Sequence, residues 1–277
     1  MKEIRRIDLG TPALLEFRGP DAVRFLNGQL TQDLRRVAGG KISLPSCVTD
    51  AKGRLQFRVT VTESPGGGLW IAGLAGWAEN LEARLTRYLI ADDAEAVDLS
   101  GKYTLAHFTG PMPEPPPGVI ARESDRLGVA GTDWWIPAGL AIEFPAQVAL
   151  LEGDALEALR IANGVPAWGR ELVEGMLPPE ALLEESDISY HKGCYIGQEV
   201  ISRIKSAGKV NRRLARFVFG AGIPVVPGPL ENAAGELTSV SPLAAGGVRH
   251  ALGYVKRGAA ELWFKAADGT IYPAGVV

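Results

Sequence analysis

Between Ser46 and Leu89 the apolar residues change period, and no other stretch narrows the choice of fold as much. Leu55, Phe57, Val59 and Val61 alternate with Gln56, Arg58 and Thr60, the pattern of a strand with one buried face. Gly66-Gly67-Gly68 offers a turn, and Leu69 to Ala72 a second strand. Trp77, Leu81, Leu85, Tyr88 and Leu89 then recur at helical spacing, which predicts an amphipathic helix over 77–90. Strand, strand, helix without regular βαβ alternation predicts an α+β fold.

The flanking segments extend this reading. Gly19-Pro20-Asp21 is placed to start a helix whose stripe is Val23, Phe25 and Leu26 and whose stop is Gly28. Five prolines within 111–117 predict an extended spacer. Arg126 to Ala130 and Trp134 to Pro137 predict a hairpin across Gly131-Thr132-Asp133. Asp154 and Glu157 have capping-box spacing for a helix that closes at Asn163-Gly164. After Arg213 the chain breaks into short apolar pieces separated by Gly and Pro, the cadence of a small antiparallel barrel. A length of 277 residues suits two domains, expected as 1–210 and 211–277. The charged opening, lacking an apolar run behind it, predicts no secretory signal, and two cysteines make no disulfide framework, so a cytoplasmic protein without membrane association is expected.

The chemistry concentrates in Lys192-Gly193-Cys194-Tyr195-Ile196-Gly197-Gln198-Glu199. A thiol flanked by Lys192 and His191 is a candidate nucleophile, because nearby cations favour the thiolate. The other reading of Cys194 is an inert, partly buried side chain. The carboxylate of Glu199 can accept two parallel hydrogen bonds from a planar N–H pair, the fork presented by a guanidinium or by the amino-pyrimidinone edge of a pterin. The 171–187 segment has six acids and no base, whereas 192–216 has seven bases against Glu199 alone. Those bases, Arg203 and Arg213 among them, suit an anionic tail or equally phosphates, or a solvated face. Aromatic interleaving is thin, with Tyr195 the only ring before Phe217, so nucleic acid is disfavoured as a direct partner. No ligand spacing for a metal, no phosphate-binding glycine loop and no nucleophile elbow occurs.

The octet KGCYIGQE resembles the signature of the YgfZ-type folate-binding proteins, relatives of the glycine cleavage T-protein (aminomethyltransferase). RGPDAVRFLNGQLTQDL at 18–34, SCVTDAKGRL at 46–55, NGVPAWGREL at 163–172, LPPEALLEES at 177–186, and GELTSVSP with ALGYVKRG resemble further blocks in the same order. The resemblance implies intertwined ferredoxin-like lobes around a central channel, plus a small C-terminal antiparallel β-barrel. It implies tetrahydrofolate or another reduced folate, with or without a polyglutamate tail, as cofactor. Lys192, Tyr195, Gln198, Glu199, Arg203, Arg213, Asn27 and Gln29 are then the expected folate contacts, and Cys194 the reactive thiol. The implied role is an accessory factor for iron–sulfur client proteins, and through them for tRNA modification.

The same scaffold leaves a second reading, a tetrahydrofolate-dependent aminomethyl or one-carbon transferase. T-proteins carry acids just after the glycine that matches Gly53, and here that stretch is Arg54, Leu55, Gln56, Phe57 and Arg58. A carboxylate beside a reacting nitrogen can hold a proton or a developing positive charge, and Gln56 cannot ionise. This departure favours the accessory role. A binding module for tRNA or an acidic protein is a third reading, resting on the basic block alone.

Overall fold

The computed structural model describes residues 4–110, 114–208, 210–259 and 261–277. The start of the proline run, 111–113, and Lys209 of the basic block lie outside the described residues. The chain divides into two compact units, one of residues 1–151 with 184–200 and the other of 152–183 with 201–277. The octet lies in the N-terminal unit, as in the expected 1–210, while 152–183 and 201–210 go with the C-terminal strands.

The first unit contains β1 (Ile4–Gly10), β2 (Ala13–Arg18), α1 (Ala22–Gln29), β3 (Ser43–Thr49), β4 (Leu55–Glu63), β5 (Leu69–Gly73), α2 (Ala78–Thr86), β6 (Glu95–Asp98), β7 (Tyr103–Thr109), β8 (Ile120–Ser124), β9 (Gly131–Pro137) and β10 (Val148–Leu150). They build two five-stranded sheets, ordered β3-β4-β5-β2-β6 and β10-β1-β7-β9-β8. A single bridge between Ile42 and Glu123, with Glu123 N–H donating to the Lys41 carbonyl at 2.7 Å, ties β8 to the entry of β3. The expected hairpin is displaced: its first arm is β8, and Arg126 to Ala130 form the connection. In that connection Arg126 forms an ion pair with buried Asp133 at 2.8 Å.

The alternation read in the sequence sorts β4 as predicted. Val59 and Val61 face α1 and α2 in a core with Leu26, Leu81 and Leu85. The other face of this sheet meets the second sheet through Leu14, Trp70, Ala72, Leu105 and Trp135. Trp70 and Trp135 cross edge to face at 5.4 Å, a preferred aromatic geometry. Helix α1 extends through Gly28 to Gln29, and Asp21 does not cap it, since its carboxylate accepts from Asp93 N–H at 2.9 Å instead. Helix α2 stops four residues short of the predicted end. Leu89 still packs on the core, but Tyr88 and Ile90 beyond the end of the helix are exposed.

The second unit contains α3 (Gly153–Ala162), most of α4 (Gln198–Ala207), β11 (Arg212–Gly220), β12 (Gly228–Pro229), β13 (Gly235–Val240), β14 (Val248–Lys256), β15 (Trp263–Lys265), β16 (Ile271–Pro273) and β17 (Gly275–Val276). The strands form an antiparallel sheet ordered β12-β13-β14-β11-β17 and a ribbon β15-β16. Their core is Phe217, Phe219, Leu237, Ala251 and Phe264. Beside it Glu171 is fully buried and satisfied. It accepts from Arg160 Nη1 at 2.9 Å, Ala167 N–H at 3.0 Å, Thr238 Oγ1 at 2.7 Å and Ser239 Oγ at 2.5 Å. The NGVPAWGREL block is thus a polar keystone of this unit.

Candidate functional site

The end of α1 and the loop after it form a row of carbonyl oxygens, and the octet hangs from that row. Lys192 Nζ donates to the carbonyls of Asn27 at 2.5 Å, Leu30 at 2.7 Å and Gln32 at 2.8 Å. Ser189 N–H donates to Thr31 O at 3.0 Å and Ile196 N–H to Gly28 O at 3.1 Å. The last carbonyls of a helix have no partner within it and lie at the negative end of its dipole, so an ammonium is well placed there. Burial pushes the Lys192 ammonium down to about 7. The three carbonyls oppose that direction, because a neutral amine has only two N–H groups for three acceptors.

Lys192, expected as a folate contact, fastens the loop: all three of its N–H bonds are spent on main chain. Tyr195 packs its ring 5.2 Å from the same Nζ, and its hydroxyl is buried without a hydrogen-bond partner. Burial pushes that phenol far up, so it stays protonated. Gly197 has φ +88° and lies so close to the β3–β4 turn that a Cβ would stand 2.6 Å from Asp50 O and 2.8 Å from Gly53 Cα. The turn itself is fixed by Asp50, whose Oδ1 accepts from Lys52 and Arg54 N–H, each at 2.8 Å. Thr49 Oγ1 closes the contact by donating to Ile196 O at 2.6 Å.

What this frame leaves outward is Cys194 and Glu199, both exposed. Gln198 is half-buried at the start of α4, with Glu199 in the first turn, where a carboxylate also complements the helix dipole. Asn27 is occupied twice, its main chain by Lys192 and its Oδ1 by Leu34 N–H at 3.0 Å. The Oδ1 bond leaves only its Nδ2 side open. Gln29 is buried, and its Oε1 accepts from Arg84 Nη1 at 3.0 Å. Arg203 and Arg213 are exposed and belong to the second unit.

Several residues of this frame carry no distinct mark in the sequence. Arg84 donates to Gln56 Oε1 at 2.6 Å and Thr49 O at 2.6 Å as well as to Gln29, drawing α1, β3, β4 and α2 together. On a helix pattern it is indistinguishable from a solvated charge. Asp187 is wholly buried and accepts from Arg58 Nε at 2.7 Å, while its carbonyl accepts from Thr31 Oγ1 at 2.7 Å. Cys47 lies against that carboxylate, Sγ to Oδ2 4.0 Å. Burial, with Asp187 adding to it, pushes the Cys47 thiol well up, so of the two free cysteines it is the inert one. Among the described residues no group of three or more His, Cys, Asp or Glu could hold a metal, and no helix is long and apolar enough to cross a membrane.

Known proteins similar to this chain point one way. The tRNA-modifying protein YgfZ of Klebsiella pneumoniae (strain 342) is 26% identical over 235 residues, covering 73% of this chain and 68% of that protein. An iron–sulfur cluster assembly factor IBA57 homolog, mitochondrial, of Mycosarcoma maydis is 23% identical over 230 residues, covering 76% of this chain and 56% of its own. The crystal structure of glycine cleavage system aminomethyltransferase T from Bartonella henselae superposes with a TM-score of 0.80 at 19% identity, over 99% of this chain and 85% of that one. The fold is therefore T-protein-like. No family model matches the chain.

Proposed function

We propose that this chain binds a reduced folate and acts as an accessory factor in the assembly or repair of iron–sulfur proteins, and through them in tRNA modification. The observation that carries this reading is the division of labour inside the octet. Lys192, Tyr195 and Gly197 are committed to holding the loop, while Cys194 and Glu199 are exposed. A loop fastened this firmly presents a thiol and a carboxylate at little entropic cost on binding. Similarity to proteins named for tRNA modification and iron–sulfur cluster assembly supports the same role.

The residues present suit a folate. The exposed Glu199 carboxylate can accept the paired donors of a pterin edge, with Gln198 beside it. The folate would supply its one-carbon carrying capacity. This chain would supply the carboxylate that orients it, and the Cys194 thiol, a soft ligand or nucleophile. The aminomethyltransferase reading rests on the fold alone, and fold does not determine activity.

Calorimetric titration with tetrahydrofolate under anaerobic conditions tests the reading. Binding heat that is lost in Glu199→Ala is the expected result. No heat with the wild-type chain, or undiminished heat with the variant, rejects it.

A further inference from the structure

Cys194 is strung between two anchors, and one arginine outside the loop grips the ground beneath both. Before the thiol, Lys192 hangs from the carbonyls of Asn27, Leu30 and Gln32 at the end of α1. After it, Ile196 donates its N–H to Gly28 O at 3.1 Å and accepts from Thr49 Oγ1 at 2.6 Å. The end of α1 and the end of β3 therefore place the thiol together, and a change in the gap between those ends moves it.

Arg84 spans that gap. Its Nη2 donates at 2.6 Å to the main-chain oxygen of Thr49, the residue whose hydroxyl holds Ile196. Its Nη1 donates to Gln29 Oε1 at 3.0 Å, and Gln29 stands between Gly28 and Leu30, whose carbonyls both carry the octet. Its Nε donates to Gln56 Oε1 on β4 at 2.6 Å. A guanidinium is planar and can only donate, so it fixes the spacing of these three oxygens and the way both amides are turned.

The setting favours geometry over stabilisation as the reason for a charge here. All three acceptors are neutral, and burial pulls the Arg84 guanidinium below its ordinary value. A half-buried cation held by neutral oxygens is a costly way to join a helix to a sheet, and Leu81 and Leu85 of the same helix already do so. What the guanidinium adds is a rigid three-way spacer beside the octet.

We propose that Arg84 is a positioning residue for the octet: it sets the separation of the α1 and β3 ends, and through it the place at which Cys194 is presented. This deepens the proposed function, since it rests on the octet being the functional site, and it concerns the first unit alone.

Hydrogen exchange of the ligand-free protein, read by mass spectrometry, tests the proposal. The reporter is the peptide 193–199, which contains the Ile196 N–H, and the control is β7 and β9 of the same unit. Arg84→Met should speed exchange of the reporter about tenfold, on the scale of one lost hydrogen bond, and leave the control unchanged. Arg84→Lys should do the same, because a point donor cannot hold oxygens on separate elements at a fixed spacing. It keeps the charge, so it decides the question even if the Met variant folds poorly. Thr49→Val removes the hydroxyl through which Arg84 acts, and its effect combined with Arg84→Met should be clearly less than additive. A merely structural arginine would give additive effects. Reporter exchange within roughly twofold of wild type in both Arg84 variants, equal acceleration of reporter and control, or additivity in the double variant overturns the proposal. No folate is present in this experiment, so a failure of tetrahydrofolate to bind rejects the folate reading and leaves the exchange outcome to decide this one.

Discussion

Lys192 Nζ stands 2.5 Å from the main-chain oxygen of Asn27, a residue 165 positions earlier in the chain. That bond, with its two companions to Leu30 and Gln32, makes the end of the first helix and the octet a single piece. Replacing Lys192 by Met keeps an unbranched side chain one atom shorter and removes all three donors. Leaving buried carbonyls unpaired should cost roughly 3 kcal/mol. Urea unfolding measures this, and a midpoint equal to wild type would show that the ammonium is dispensable. Lys192→Arg should not rescue it, because a flat fork cannot reach three convergent oxygens as an ammonium does.

Two glycines of the octet should respond oppositely to alanine. At Gly197 the backbone has φ +88° and a Cβ would stand 2.6 Å from Asp50 O, so Gly197→Ala should lose about 2 kcal/mol or more. At Gly193 a Cβ meets nothing within 4 Å, and Gly193→Ala should lie within about 0.5 kcal/mol of wild type. Equal losses at the two positions would contradict the close approach of Gly197 to the β3–β4 turn.

The two cysteines should differ sharply in reactivity. Cys194 is exposed and Cys47 is buried with its thiol pushed well up, first by burial and then by Asp187. In the native protein at neutral pH an alkylating reagent should modify Cys194 rapidly and Cys47 only after unfolding. Peptide mapping by mass spectrometry reads both sites. Cys194→Ser should fold normally and lose the fast-reacting thiol, while an iron–sulfur enzyme reporter in cells should lose activity if the proposed function holds.

Asp133 predicts a pH dependence. Burial would raise its carboxyl, but Arg126 beside it and the bonds from His107 and Arg126 hold it below the ordinary carboxylate range. A depressed folded value means that the unfolded chain binds the proton more readily. The stability it confers is present above pH ~4, the unfolded value, and is lost as pH falls through the folded one. Asp133→Asn should therefore be less stable at pH 7 and show a shallower loss of stability below about pH 4. A parallel acid limb in wild type and variant would exclude this role.

In the second unit Glu171→Gln should be costly. The amide would place N–H bonds where Arg160, Ser239 and Thr238 already donate, leaving Arg160 short of a carboxylate in a buried setting. A loss of about 3–5 kcal/mol is expected on the scale of a broken buried pair. Thermal unfolding followed in the near ultraviolet measures it.

The amino-acid order by itself determined what depends on neighbours a few residues apart. The alternation in β4 and the helical period of α2 are consequences of burying one face; β4 stands where its period places it, and α2 begins where expected but ends four residues early. The octet declared itself through its mixture of thiol, carboxylate and glycine. What tertiary structure alone decided is which of its side chains turn inward. Lys192 reads in sequence as a cation free to meet a ligand, and it faces three carbonyls supplied by a distant helix end. Arg58, Arg84 and Asp187 look like ordinary charges on polar faces until strands and loops more than twenty residues apart are brought together. Hydrogen bonds are short-ranged and directional, so a partner remote in sequence leaves no period behind it. For the same reason the assignment of 152–183 to the C-terminal strands could not be read from local texture: it is secured by Glu171 meeting Thr238 and Ser239, a pairing that exists only once the chain has folded.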